Sequence, residues 1–167
     1  GIACAYKHFP GHGSALGDTH EGFVDVTETF IPDELVPYKG LQKEQDKPLM
    51  VMTAHVINRH LDTLGLPATL SHDIITTLLR GTMGYEGLVI SDDLQMRAIA
   101  DQYSLEESLC LTLNAGADMV IFANQLGDNS AFEVIDAIEQ LVLDKKVDIQ
   151  RIDEAFKRII RLKGQIS

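Results

Sequence analysis

Two short stretches hold most of the side chains able to move a proton or attack carbon. The first is KHFPGHGSALGDTH, residues 7–20, with three histidines, a lysine, an aspartate and three glycines. The second is SDD, residues 91–93, which closes an apolar run. Pro10, Gly11 and Gly13 force a sharp exit from the run before them, which holds Lys7 and His8 at the mouth of a site. Asp18 and His20 stand one residue apart. On an extended loop that spacing turns both side chains the same way, so the carboxylate can bond the imidazole, fix its tautomer and raise its basicity. Such a pair suits general acid/base work near neutral pH, against the plainer reading of a solvated loop pair. In SDD, a carboxylate at the end of a strand is well placed to attack an electrophilic carbon. With two in a row, Asp92 is assigned to the site and Asp93 to the start of the next helix.

Other chemistries fit these residues less well. His8, His12, His20 and Asp18 offer a set of metal ligands, which makes a metallohydrolase an alternative. The HxxxH spacing serves a metal on a helix, however, and glycines and a proline interrupt it here, so no metal or cofactor is expected. GHGSALGDT lacks the lysine of a phosphate-binding P-loop. His12 is assigned to the shape of its turn.

These residues need elements to carry them. Four short runs, GIACAYKHF, PLMVMTAHV, GLVISDD and ADMVIFAN, are apolar nearly throughout, as strands covered on both faces are. Helical patterns lie between and after them: SHDIITTLLRGTM, with Ser71 capping its start and Gly84 near its end; SLEESLCLTLNAGA, with a Ser104–Glu107 capping box; and SAFEVIDAIEQLVL and IDEAFKRIIRLK. Strand alternating with helix predicts an α/β fold with a parallel sheet. Each strand delivers its polar residues at its C-terminal end: Lys7 and His8, His55, Asp92 and Asp93, Asn124. That edge is the catalytic face of a (β/α)8 barrel and the ligand edge of a doubly wound sheet. Four βα units are half of a barrel that takes ~250 residues.

Composition bounds the rest. At 167 residues and 45% hydrophobic, the chain can bury a core as a single domain. A net charge of −11 argues against nucleic acid or an anionic membrane as partner. The basic run KRIIRLK is expected to be the solvated face of a terminal helix. No run reaches the ~18 apolar residues of a membrane span, and no signal peptide opens the chain. Cys4 and Cys110 sit in apolar contexts and are expected to be buried, which leans toward a reducing compartment.

KHFPGHG, then four residues, then DxH, resembles glycoside hydrolase family 3 in its β-N-acetylhexosaminidase branch. The resemblance continues through TAHV, PATLS, GYEGLVISDDLQM and AGADMVIF, in order along nearly the whole chain. It implies residues 1–167 as one partial domain, the C-terminal half of a TIM-type (β/α)8 catalytic barrel. It implies hydrolysis, with retention, of terminal N-acetylglucosamine from peptidoglycan-derived saccharides, in the cytoplasm unless a leader directs export. Asp92 falls on the family's nucleophile, His20 on its acid/base with Asp18 in support, and Lys7 and His8 on its sugar-binding pair; His55 is a further sugar contact. Phosphorolysis stays open, because an imidazole acid/base does not repel phosphate. An N-terminal half-barrel that supplies further sugar contacts is missing. The chain alone is therefore expected to be inactive, with open strand edges and an uncovered inner sheet face that favour self-association. The competing reading is a non-catalytic, self-associating half-barrel.

Overall fold

The computed structural model describes residues 1–44, 47, 49–125 and 127–166; Pro48, which opens the run PLMVMTAHV, lies outside them. The described residues form six strands: β1 (Cys4–Phe9), β2 (Val24–Asp25), β3 (Leu49–Thr53), β4 (Val56–Ile57), β5 (Leu88–Asp93) and β6 (Met119–Ile121). The four apolar runs supply β1, β3, β5 and β6, which pair side by side in that order, every pairing parallel. The two-residue strands β2 and β4 form a separate parallel pair and carry a small cluster of Val24, Val26, Ala54 and Val56. Nothing in the hydrophobic pattern announces that pair, which is too short to show a period.

Three of the four expected helical patterns are α-helices: α2 (Leu105–Ala115), α3 (Ala131–Leu143) and α4 (Ile149–Ile166), with a single turn, α1 (Arg97–Ala100), before α2. Capping boxes start two of them, Ser104 with Glu107 and Ser130 with Glu133. The fourth pattern, Asp73–Thr82, is a helix of π type. The Ser71 hydroxyl accepts the Ile74 amide at its start, and the Met83 amide reaches back five residues to the Leu78 carbonyl at its end. The wider coil still turns Ile74, Ile75 and Leu79 into the core. Between β1 and β3 the described residues form no α-helix, only 3-10 turns at Pro32–Tyr38 and Leu41–Glu44. Pro32, Pro37 and Gly40 break that stretch, so the first unit departs from the expected βα form.

Side chains alternate across the sheet. Val51 and Val89 meet Ile74, Ile75 and Leu79 on one face. Met50, Met52, Leu88 and Ile90 stand on the other, with Ile159 and Leu162 of α4 against them. This corrects the expectation of an uncovered inner face. α4 folds across it, leaving Leu88 2% and Ile90 9% exposed, because the helix has an apolar stripe of its own to bury.

α4 is held there by charge as well. The fully buried Asp118 carboxylate, just before β6, accepts from Arg80 at 2.7 Å and Arg158 at 3.0 Å, from Arg151, and from the Val89 amide of β5 at 3.0 Å. Arg158 belongs to KRIIRLK, so that run is not wholly a solvated face: one of its charges turns inward to a partner forty residues away. The cysteines also depart from expectation. Cys4 is exposed, because β1 is an outer strand on which only Phe9 is fully buried, and Cys110 is half-buried beside Asn114. No helix among the described residues is long and apolar enough to cross a membrane.

Candidate active site

β1 and β5 bring their last residues to one edge of the sheet. His8 of β1 and Asp92 of β5 come together there, with His8 Nε2 3.7 Å from Asp92 Oδ2 and both side chains partly exposed. Burial pushes the His8 imidazole below its ordinary value, and the opposite charge of Asp92 pulls it part of the way back. The two neighbouring carboxylates have different partners. Asp92 Oδ1 accepts the Asp93 amide, at 2.9 Å. Asp93 Oδ1 accepts the Gln95 amide at 3.0 Å and the Ala123 amide at 3.3 Å, which ties the turn after β5 to the end of β6. The second carboxylate is therefore occupied with the chain's path and not with the start of the next helix, which begins at Arg97 after Met96 with no side-chain cap.

The loop from Pro10 to Phe23 rises between β1 and β2. Asp18 and His20 do bond: His20 Nδ1 lies 2.7 Å from Asp18 Oδ1, and the His20 amide donates to the same oxygen at 2.9 Å. That backbone bond, then the ring bond, holds the Asp18 carboxyl below the usual carboxylate range. Both side chains are well exposed, so neither is held from beneath by the sheet. His12 sits between them and the strand: its ring lies 5.9 Å from that of His8, and its Nε2 lies 3.5 Å from the Thr19 hydroxyl. His20 is also close enough to His8 to act on its charge.

A residue that motif reading misses anchors this loop. Glu34, in the Pro32–Tyr38 turn, accepts the Gly13 amide at 2.8 Å and the Ile31 amide at 3.5 Å, and stands beside Ser14. Burial works against its charge, but these polar neighbours outweigh it and lower the carboxyl's pKa. Gly11 has φ +149°, and a Cβ there would lie 2.6 Å from the Glu34 Cβ, so glycine is required where loop and turn approach. Only the absence of a side chain at Gly11 hints in sequence that something packs there. Lys7, His8, His12, Glu34 and Tyr38 line part of a pocket of about 310 Å³ on this side of β1; Asp92 is not among its lining.

His55 corrects the expectation of a further sugar contact. It lies just past β3, fully buried, with Nε2 2.8 Å from the Asp93 carbonyl and Nδ1 2.8 Å from the Thr69 hydroxyl. Both ring nitrogens are engaged inside the protein, so the ring has none to offer a sugar. Asn124 likewise turns into an amide network with Gln95 and Asn129. The strand ends do converge, but two of the side chains they deliver serve the scaffold.

The fold and this edge together define half of a (β/α)8 barrel, with its polar side chains at the strand C-termini. The chain belongs to glycosyl hydrolase family 3: the model of that family's N-terminal domain matches residues 1–162. Beta-hexosaminidase LpqI of Mycobacterium tuberculosis is 34% identical over 98% of the chain, which covers 42% of that protein. The glycoside hydrolase family 3 β-N-acetylglucosaminidase of Paenibacillus sp. superposes with a TM-score of 0.86 at 33% identity, over 98% of this chain and 31% of that one. The β-N-acetylglucosaminidase of Thermotoga maritima gives 0.82 at 35% identity, over 97% and 35%. The chain thus spans well under half the length of these relatives.

Proposed function

We propose that this chain carries the nucleophile and the acid/base of a retaining β-N-acetylhexosaminidase, as the C-terminal half of the catalytic barrel of a longer protein. The observation that carries the reading is the meeting of Asp92 with His8 at 3.7 Å on the edge from which the Asp18–His20 loop rises. Family membership supports a glycosidase, and the names of the relatives support N-acetylglucosamine as the sugar. Peptidoglycan-derived saccharides in the cytoplasm are the proposed source.

A retaining mechanism needs a carboxylate on one side of the anomeric carbon and a proton donor on the other. Asp92 attacks the anomeric carbon and forms an ester as the glycosidic C–O bond breaks. His20, protonated and oriented by Asp18, gives its proton to the departing oxygen. The same imidazole, now neutral, takes a proton from water, which attacks the anomeric carbon and releases Asp92. Lys7 and His8 hold sugar hydroxyls. Phosphate in place of water would yield a sugar 1-phosphate, which an imidazole base, unlike a carboxylate, does not repel.

The test uses the full-length protein and an aryl N-acetylglucosaminide. Asp92→Ala should reduce turnover by at least about a thousandfold, and a mechanism-based fluorosugar should label Asp92. A label on Asp93 would overturn the assignment. The 167-residue chain alone should show little turnover, since the rest of the sugar subsite lies outside it. Robust activity of that chain would mean that its own strands suffice, and light scattering would separate a monomer from the self-associating alternative.

A further inference from the structure

We infer that His55 is a positioning residue for the nucleophile: its ring fixes the Asp92–Asp93 corner by holding the Asp93 carbonyl from beneath. The inference rests on Asp92 being the nucleophile, as proposed above.

Three elements meet at this ring. A carbonyl only accepts, so Nε2 must carry a proton to bond Asp93 at 2.8 Å. Burial disfavours a cation at a site this enclosed, which leaves Nδ1 bare and accepting. The donor is the Thr69 hydroxyl, 2.8 Å away, and Thr69 in turn accepts from the Thr53 hydroxyl at 2.8 Å. The Thr69 hydroxyl also lies within donating distance of the Ala54 carbonyl, at 2.9 Å, but that carbonyl accepts from the Thr69 amide as well, whereas Nδ1 has no other donor among the described residues. One chain of donors therefore runs from Thr53 at the end of β3, through Thr69 and both nitrogens of His55, to the peptide that follows Asp93, one residue beyond Asp92. All three of these side chains are fully buried. With the Asp93 carbonyl held from below and its carboxylate tied to Gln95 and Ala123, the backbone that follows Asp92 is restrained on both sides. A nucleophile must stand within a fraction of an ångström of its line of attack, and an error of about 1 Å is worth about a hundredfold in rate.

The experiment uses the full-length enzyme with His55→Leu, His55→Gln and Thr69→Val, each checked for a cooperative thermal melt. His55→Leu removes the donor to Asp93 and should lower kcat and the rate of fluorosugar labelling by about a hundredfold, with KM little changed. His55→Gln places an amide donor near the same carbonyl and should recover most of the loss. Thr69→Val removes the hydroxyl that fixes the tautomer and should fall between them, which keeps the test alive if His55→Leu does not fold. A loss confined to KM would make His55 a sugar contact and overturn the inference, as would wild-type labelling rates in His55→Leu or equal damage in His55→Leu and His55→Gln. Failure of the nucleophile reading shows separately, as a label on a residue other than Asp92 in the wild-type enzyme.

Discussion

Asp92 and Asp93 have the same chemistry and adjacent positions, and only their surroundings tell them apart. One carboxylate spends its bonds on the amides of Gln95 and Ala123; the other presents Oδ2 to His8. The same contrast separates His20, exposed on its loop, from His55, sealed under the strand ends. For His20 the expected consequence is a dependence on the leaving group. His20→Ala in the full-length enzyme should slow alkyl glycosides about a hundredfold or more, and activated nitrophenyl glycosides far less, because the latter depart without a proton. Equal losses on both substrates would remove His20 from the acid role. The types and spacing of Asp18, His20 and Asp92 were legible in sequence because they are local. The burial of His55 was not, since it depends on Thr69 and on a carbonyl thirty-eight residues away.

At the level of elements, the pattern reading recovers the four main strands and the Ser104–Glu107 capping box, whose signals are periodic or only three residues long. It misses what joins elements distant in sequence. Glu34 ties the Pro32–Tyr38 turn to the loop that carries the acid/base, across twenty-one residues. Charge-assisted bonds of this kind are worth about 1.5–3 kcal/mol, against about 1 for neutral ones. Glu34→Gln should therefore loosen the loop without unfolding the protein. Hydrogen exchange at the Gly13 amide should quicken by about tenfold, corresponding to about 1.4 kcal/mol. Unchanged exchange there would mean that the loop is held by its other contacts, such as the 3.4 Å bond from the Ala98 amide to the Thr19 carbonyl.

For the molecule as a whole, the buried His55 and the partly buried His8 set a pH dependence. Burial lowers both His8 and His55 from the ordinary imidazole value of 6.5. Each therefore binds a proton less readily in the folded chain than in the unfolded one. Above pH 6.5 neither state is protonated at these rings and the fold keeps its full stability. As pH falls through 6.5 toward the lower folded values, the unfolded chain takes up protons that the folded one refuses, and stability declines. The melting temperature should drop between pH 7 and pH 5, and less steeply in His55→Gln. A flat profile would show that the rings are not enclosed in solution. The parallel α/β class and its polar edge follow from composition and period, whereas the placement of α4 across the inner sheet face follows from Asp118 and three arginines, Arg80 of the Asp73–Thr82 helix and Arg151 and Arg158 of α4 itself.

That arginine-bound carboxylate sits at the strand starts, and the imidazoles and Asp92 sit at the strand ends. Inheritance can therefore act on the two ends separately. Loops above the sheet can be lengthened, shortened or exchanged, and a lineage can try new sugars and new leaving groups, while the ionic clasp beneath continues to fold every variant.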